Sequence, residues 1–139
     1  MTTEQVDFQS VLAEADGTCN GMPEGTVMGH VHLSVSDLAA TEKFYTDVLD
    51  FNVVTRYGPS ALFISTGKYH HHLGLNTWHS QGRPALPADA VGLMSYTTVL
   101  EDEAYAELVK SNLLEAGFVV EQVEAAPVYG GKQAFSTVN

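Results

Sequence analysis

Residues 68–78 read KYHHHLGLNTW and place three histidines, His70, His71 and His72, in a row inside the chain. Two more, His30 and His32, stand two positions apart in GHVHL. Neutral imidazole is the commonest biological donor to zinc, iron and nickel, and pairs at i, i+2 spacing on a strand are frequent ligands. The same residues also suit a metal-free polar cleft, because buried imidazoles are usually satisfied by hydrogen bonds to substrate or water. Both chemistries stay open on the residues alone.

Strand geometry limits what the cluster can do. Side chains alternate along a strand, so a regular strand through KYHHHLGLNTW sends His70, His72 and Gly74 to one face, and His71, Leu73 and Leu75 to the other. On that reading the three histidines cannot all hold one ion. His30 and His32 share a face, about 7 Å apart along their strand. The expectation is that His30 meets one or two cluster histidines across a cleft, with His71 as the central candidate ligand. A carboxylate or water would complete the set, and the acids considered are Glu121 and Glu124. Three positions separate them, so at most one faces inward on a regular strand. Tyr57, Tyr69, Tyr96 and Trp78 are candidate walls for a planar ligand. The candidate substrate-contacting set is His32, His70, His72, Tyr96 and Trp78.

The elements that must position these groups can be read from periodicity. Residues 1–25 form a leader or linker, with a short helical patch around residues 8–15 and then DGTCNGMPEGT, rich in Gly, Pro and small polar residues. VMGHVHLSV alternates as a strand. Ser36 and Asp37 are capping types ahead of an amphipathic helix over 38–49, with Phe44, Tyr45, Val48 and Leu49 on one face. FNVVTRY, ALFIST and the histidine segment to Trp78 follow as three strands, separated by turns at Gly58-Pro59 and Gly67-Lys68. After the loop HSQGRPALPADA the order restarts. GLMSYTTVL is a strand, and Glu101-Asp102 opens a helix at the end that favours negative charge. Its predicted buried stripe is Tyr105, Leu108, Val109, Leu113 and Ala116, closed by Gly117. FVVEQVE and QAFSTV read as further strands. Setting MGHVHLSVSD over LMSYTTVLED aligns His30 with Ser95 and His32 with Thr97.

GHVHLSVSDLAATEKFYTDVLDF, ALFIST and YHHHLGLNTW together resemble the vicinal oxygen chelate superfamily of glyoxalases, bleomycin-resistance proteins and extradiol dioxygenases. The likeness is greatest to the C-terminal half of bacterial catechol-2,3-dioxygenase-like proteins and covers about residues 20–139. It implies an α+β fold of two βαβββ modules, residues 26–78 and 92–139 within a domain 26–139, forming an open curved sheet around a cleft. The second module lacks its last strand. The resemblance implies a first metal ligand at His30, a second at the position of Ser95, and a third, a Glu, on the strand beyond STVN. On that pattern one ligand of three is present, so Ser95 and the absent Glu favour binding without metal chemistry, while the number of histidines favours a metal.

Two function classes follow. One is a dioxygenase or glyoxalase-like lyase using a divalent Fe, Mn, Ni or Zn ion, held by His30 and His71, to grip two vicinal oxygens of a small molecule. The other is a metal-free small-molecule-binding protein of the bleomycin-resistance kind, or a non-catalytic half-domain. A homodimer is expected, because single-domain relatives pair and an uncovered strand with Phe135 and Val138 invites it.

Composition excludes other classes. The chain has 139 residues, 45% hydrophobic and 17% charged, which is enough to build one core and is globular rather than disordered. Seventeen acidic against six basic residues give a net charge of −11, a field that repels phosphate backbones and anionic membranes. Nucleic acid and membrane partners are therefore not expected, and the location expected is cytoplasmic. Cys19 is the only cysteine, so an intrachain disulfide is impossible and thiolate zinc sites are disfavoured. No GxSxG, P-loop or Cys–His nucleophile pattern is present, and Gly130-Gly131 reads as a turn.

Overall fold

The computed structural model describes residues 4–18, 20–87, 89–93 and 95–121, together with the backbone of Ala134–Phe135. Cys19, Glu124, Gly130-Gly131 and Val138 lie outside the described residues, and so does most of the strand expected in QAFSTV.

The first part of the chain is one mixed sheet backed by a helix. In chain order the elements are α1 (Phe8–Ala13), β1 (Val31–Ser34), α2 (Leu38–Lys43), β2 (Asn52–Tyr57), β3 (Ala61–Ser65) and β4 (Leu73–Asn76). The four strands run in the order β1-β4-β3-β2. β1 lies parallel to β4, with Val31 opposite Leu73 and His32 opposite Gly74. β3 is antiparallel to both β4 and β2. A parallel neighbour requires a long crossover, and α2 with β2 and β3 supplies it. This is the strand-helix-three-strand order expected from residues 26–78.

α2 starts where the sequence places it. Asp37 accepts a hydrogen bond from the Ala40 amide, satisfying one of the orphan donors of the first turn. The helix then widens into a π-type turn over Phe44–Val48, and Tyr45 is its buried residue. Leu62 and Ile64 of β3 and Leu73 and Leu75 of β4 pack with Tyr45 and Phe51 into the core. Val31, Leu33 and Val53 border it from the flanking strands. Because strand side chains alternate, the other face of the sheet is left to His32, Gly74 and Phe63, which sit level in the strand register. Arg56 of β2 grips the Glu42 carboxylate with both guanidinium nitrogens at 2.7 and 2.6 Å, tying α2 to the sheet. That pair holds the Glu42 carboxyl below its usual range.

The second part is described more sparsely, as β5 (Thr98–Val99), α3 (Glu103–Glu115) and β6 (Ala134–Phe135), with β5 antiparallel to β6. Asp102 caps α3 by accepting from the Tyr105 amide, and Gly117 ends the helical segment at φ +87°, a conformation that glycine adopts without a Cβ clash. The buried stripe of α3 is Ala106, Val109 and Leu113. Leu108 and Ala116 are exposed, contrary to the expected stripe, because the contact side of the helix is rotated toward Ala106. Residues 118–121 form no strand, unlike the expectation from FVVEQVE. α3 meets the π turn through Asn112, whose amide donates to the Val48 carbonyl at 3.2 Å, and Phe118 packs edge-on against Phe44. Among the described residues no helix is long and apolar enough to cross a membrane.

Leu75 has no exposed surface and stands at the centre of the core cluster. Leu75→Ala is expected to lower unfolding stability by about 2–5 kcal/mol, as transfer and cavity terms add. Urea unfolding checks this, and a loss below about 1 kcal/mol would mean that this cluster is not the core.

Candidate metal centre

The parallel pairing of β1 and β4 creates the site. Two parallel strands begin at the same end of a sheet, so the residues just before each strand become neighbours. The Val31 amide donates to the His72 carbonyl at 3.0 Å, which places His30 beside the histidine triplet. The ligand nitrogens of His30, His70 and His71 all lie within 4.8 Å of one another. The ring of His71 is 4.6 Å from that of His30 and 4.5 Å from that of His70, centroid to centroid. A zinc-type site with bonds of about 2.0–2.1 Å would need the three nitrogens to close by a further ångström or so. Of the three, His30 and His70 are exposed and His71 is buried.

This convergence differs from the alternation expected of a regular strand. β4 begins only at Leu73, and residues 70–72 are bent rather than pleated. His70 and His71 therefore reach the same place, and His71 leaves the face of Leu73 and Leu75 to pack 5.0 Å from the Phe63 ring on the opposite side of the sheet. His72 is held apart. Its Nδ1 accepts from the Thr66 amide at 3.3 Å and lies 2.9 Å from Ser65 Oγ. A nitrogen that accepts an amide proton carries the lone pair, so the ring proton of His72 sits on Nε2. Tyr69 is wedged alongside, its ring 4.3 Å from His70 and 4.7 Å from His72, and it fixes the bend between them.

His71 is the buried member, 7% exposed, and its Nδ1 has no hydrogen-bond partner among the described residues. Burial first, and then the neighbouring imidazoles of His30, His70, His32 and His72, push its pKa below the ordinary histidine value. It is held neutral, the form that donates to a metal. An unpaired buried polar nitrogen costs about 1–3 kcal/mol, and a divalent ion shared with His30 and His70 would relieve that cost. Three imidazoles with one orphaned lone pair fit a borderline divalent ion such as zinc or iron. Among the described residues the group contains no carboxylate, and Glu121 is exposed outside it.

The remaining candidates divide between two places. His32 lies on the open face of the sheet, its ring 5.7 Å from that of Trp78 and 6.1 Å from that of Phe63. Tyr96 is on the other side, packed against the core, with its hydroxyl hydrogen-bonded to that of Tyr45. Burial raises the pKa values of both phenols. Ser95 is exposed, and so is Tyr57. Two residues of the site go unnamed when only chemistry-bearing side chains are sought, Phe63 and Gly74. Their position in the strand alternation, opposite Leu62, Ile64, Leu73 and Leu75, was the signal that could have found them.

His72 and His71 should behave differently when each is replaced. His72→Ala is expected to cost about 1–2 kcal/mol by leaving the Thr66 amide without its acceptor, the Ser65 hydroxyl keeping the Thr66 carbonyl, while zinc binding in equilibrium dialysis persists. Loss of zinc in His72→Ala with full retention in His71→Ala would invert this assignment.

Comparison with known proteins agrees with the fold. The family model of the Glyoxalase/Bleomycin resistance protein/Dioxygenase superfamily matches residues 27–131. Catechol-2,3-dioxygenase of Bacillus subtilis (strain 168) is 46% identical over 126 residues, which cover 89% of this chain and 44% of that protein. The chain thus spans less than half the length of that relative. The crystal structure of lactoylglutathione lyase from Agrobacterium tumefaciens superposes with a TM-score of 0.53 at 23% identity, covering 76% of this chain and 81% of the other. With the site at the paired ends of β1 and β4 and the family match across most of its length, the chain belongs to the Glyoxalase/Bleomycin resistance protein/Dioxygenase superfamily.

Proposed function

We propose that this chain carries the metal site of a dioxygenase or glyoxalase-like lyase that acts on a small molecule with two adjacent oxygens. One observation carries the reading: the ligand nitrogens of His30, His70 and His71 converge within 4.8 Å, and His71 is buried with an Nδ1 that has no hydrogen-bond partner among the described residues. The kinship with a catechol-2,3-dioxygenase supports an aromatic vicinal diol as the first substrate to test. His30 and His71 are the proposed principal ligands, with His70 as the third. A divalent ion bound there would supply Lewis acidity, or with iron an oxygen-activating centre, next to two substrate oxygens.

The protein's own part in the chemistry is to bind, orient and exclude. Burial keeps His71 neutral and its lone pair available. Phe63, packed 5.0 Å from His71, makes one side of the site apolar, so water is displaced when a planar substrate enters. The Ser65 and Thr66 contacts hold His72 and with it the bend that delivers His70 and His71. His32 and Trp78 are proposed substrate contacts, whereas Tyr96 supports the packing of the second segment on the first. The reading carries with it a domain over residues 26–139 with residues 92–139 as a second βαβββ-type module, a cytoplasmic location and a homodimer. The metal-free alternative, a cleft that sequesters a small molecule, draws support from the lack of a carboxylate in the described ligand group.

The test is metal content and turnover of untagged protein. About one iron or zinc ion per chain is expected, lost in His30→Ala and His71→Ala. Oxygen uptake with catechol by the iron-loaded protein should fall at least about a hundredfold in those variants. Metal that binds regardless of His30 and His71, or no metal at all, would remove the enzyme reading and leave the sequestering one.

A further inference from the structure

The open face of the sheet beside the imidazole group contains a feature that the metal does not need. His32 (β1), Gly74 (β4) and Phe63 (β3) lie level across three neighbouring strands. The imidazole of His32 does not stand up from its strand but lies over Gly74. A Cβ on residue 74 would come within 3.0 Å of His32 Nδ1 and 3.2 Å of its Cγ and Cε1, closer than real Cβ atoms normally approach. Gly74 has an ordinary backbone conformation, so no φ requirement explains a glycine there. Its missing side chain is the space the ring occupies. Glycine inside a strand is otherwise unfavourable, and close approach by another group is a recognised reason for it.

The ring laid down in this way joins others. It is 5.7 Å from Trp78 and 6.1 Å from Phe63, and Phe63 in turn is 5.0 Å from His71. His32 and Trp78 are both exposed, and His32 makes no hydrogen bond among the described residues. One continuous aromatic surface therefore runs from His71 over Phe63 to His32 and Trp78. An apolar planar body with its two oxygens at the histidine group would have its ring on this surface, where offset or edge-on aromatic contacts are favourable.

We propose that Gly74 is a positioning residue that lays His32 across the sheet, completing with Phe63 and Trp78 a platform that selects substrates by the size of their planar ring. This rests on the function proposed above, since the oxygens of the ligand are placed at His30, His70 and His71. In Gly74→Ala the imidazole has to give way by a few tenths of an ångström, which shifts it from its place between Phe63 and Trp78. Attachment of the oxygens is left intact, so the selectivity for ring size changes rather than the capacity for metal.

The experiment is calorimetric titration of zinc-loaded protein, which cannot turn over by redox chemistry, with catechol and with naphthalene-2,3-diol. Fluorescence of Trp78, the only tryptophan in the chain, gives a second and local readout. Wild-type protein is expected to prefer the larger ring. Gly74→Ala and His32→Ala should each reduce that preference about three- to tenfold, with zinc content unchanged. In a His32→Ala background, Gly74→Ala should have no further effect, an outcome that a general structural role for Gly74 would not produce. Trp78→Leu, at an exposed position away from the core, gives the same reading without altering the strand. If both diols bind but the preference survives in all three single variants, the platform is wrong and the metal-site function stands. If zinc is not taken up, or neither diol binds wild-type protein, the function falls and the platform falls with it.

Discussion

Everything at the site depends on the parallel pairing of β1 with β4. Had these strands been antiparallel, the residues before β1 would have met the residues after β4, and His30 would have faced Thr77 and Trp78. Parallel register instead brings two chain entries to one end of the sheet, with His30 on one and the histidine triplet on the other. Parallel neighbours require a crossover. The capped helix α2, its π-type turn and the β2–β3 hairpin provide it, burying the core on one face and leaving the other free. The core and the site are the two faces of one alternation, so substitutions that repack Leu73 or Leu75 act on the same strand that carries Gly74.

Much of this is legible in the sequence, and what is not has a local physical cause. Asp37, Asp102 and Gly117 mark helix boundaries because capping depends on residues close in sequence. Alternation in VHLS reads correctly as a strand, because that segment is regular, and ALFIS is likewise the strand expected. The same rule fails at His70–His71–His72 because the rule presupposes a pleat. Residues 70–72 are bent, with Tyr69 stacked between His70 and His72 and with Thr66 and Ser65 holding His72, so neighbours expected on opposite faces converge. A strand's starting residue is set by its partners, which a single segment does not disclose. Tyr96 illustrates the same limit. Its hydroxyl is placed by Tyr45, fifty-one positions away, and no pattern around residue 96 distinguishes a cleft wall from a docking contact.

The family resemblance puts a second ligand at the position of Ser95, which counts against a metal, whereas the number of histidines counts for one. Among the described residues, the histidine group comes from the first half. The bend before β4 puts two consecutive imidazoles, His70 and His71, beside His30. Counting ligands by homologous position and counting them by convergence in space give different answers. The second count is the one that a metal ion responds to, since affinity follows donor type, geometry and protonation state.

The strong negative charge of the chain bears on that affinity in a particular way. A net charge of −11 raises the local concentration of cations generally but provides no specificity. Exposed carboxylates attract calcium and magnesium as readily as softer ions, whereas the histidine group discriminates against those hard, oxygen-seeking cations. The long-range field and the local donors therefore have separate roles, one enriching divalent ions near the surface and the other choosing among them. His71 is the member of the group best suited to such a role, because its partial desolvation lowers its pKa and its Nδ1 has no hydrogen-bond partner among the described residues. A hydrogen-bond donor opposite that nitrogen would have made the same three histidines an ordinary polar cluster.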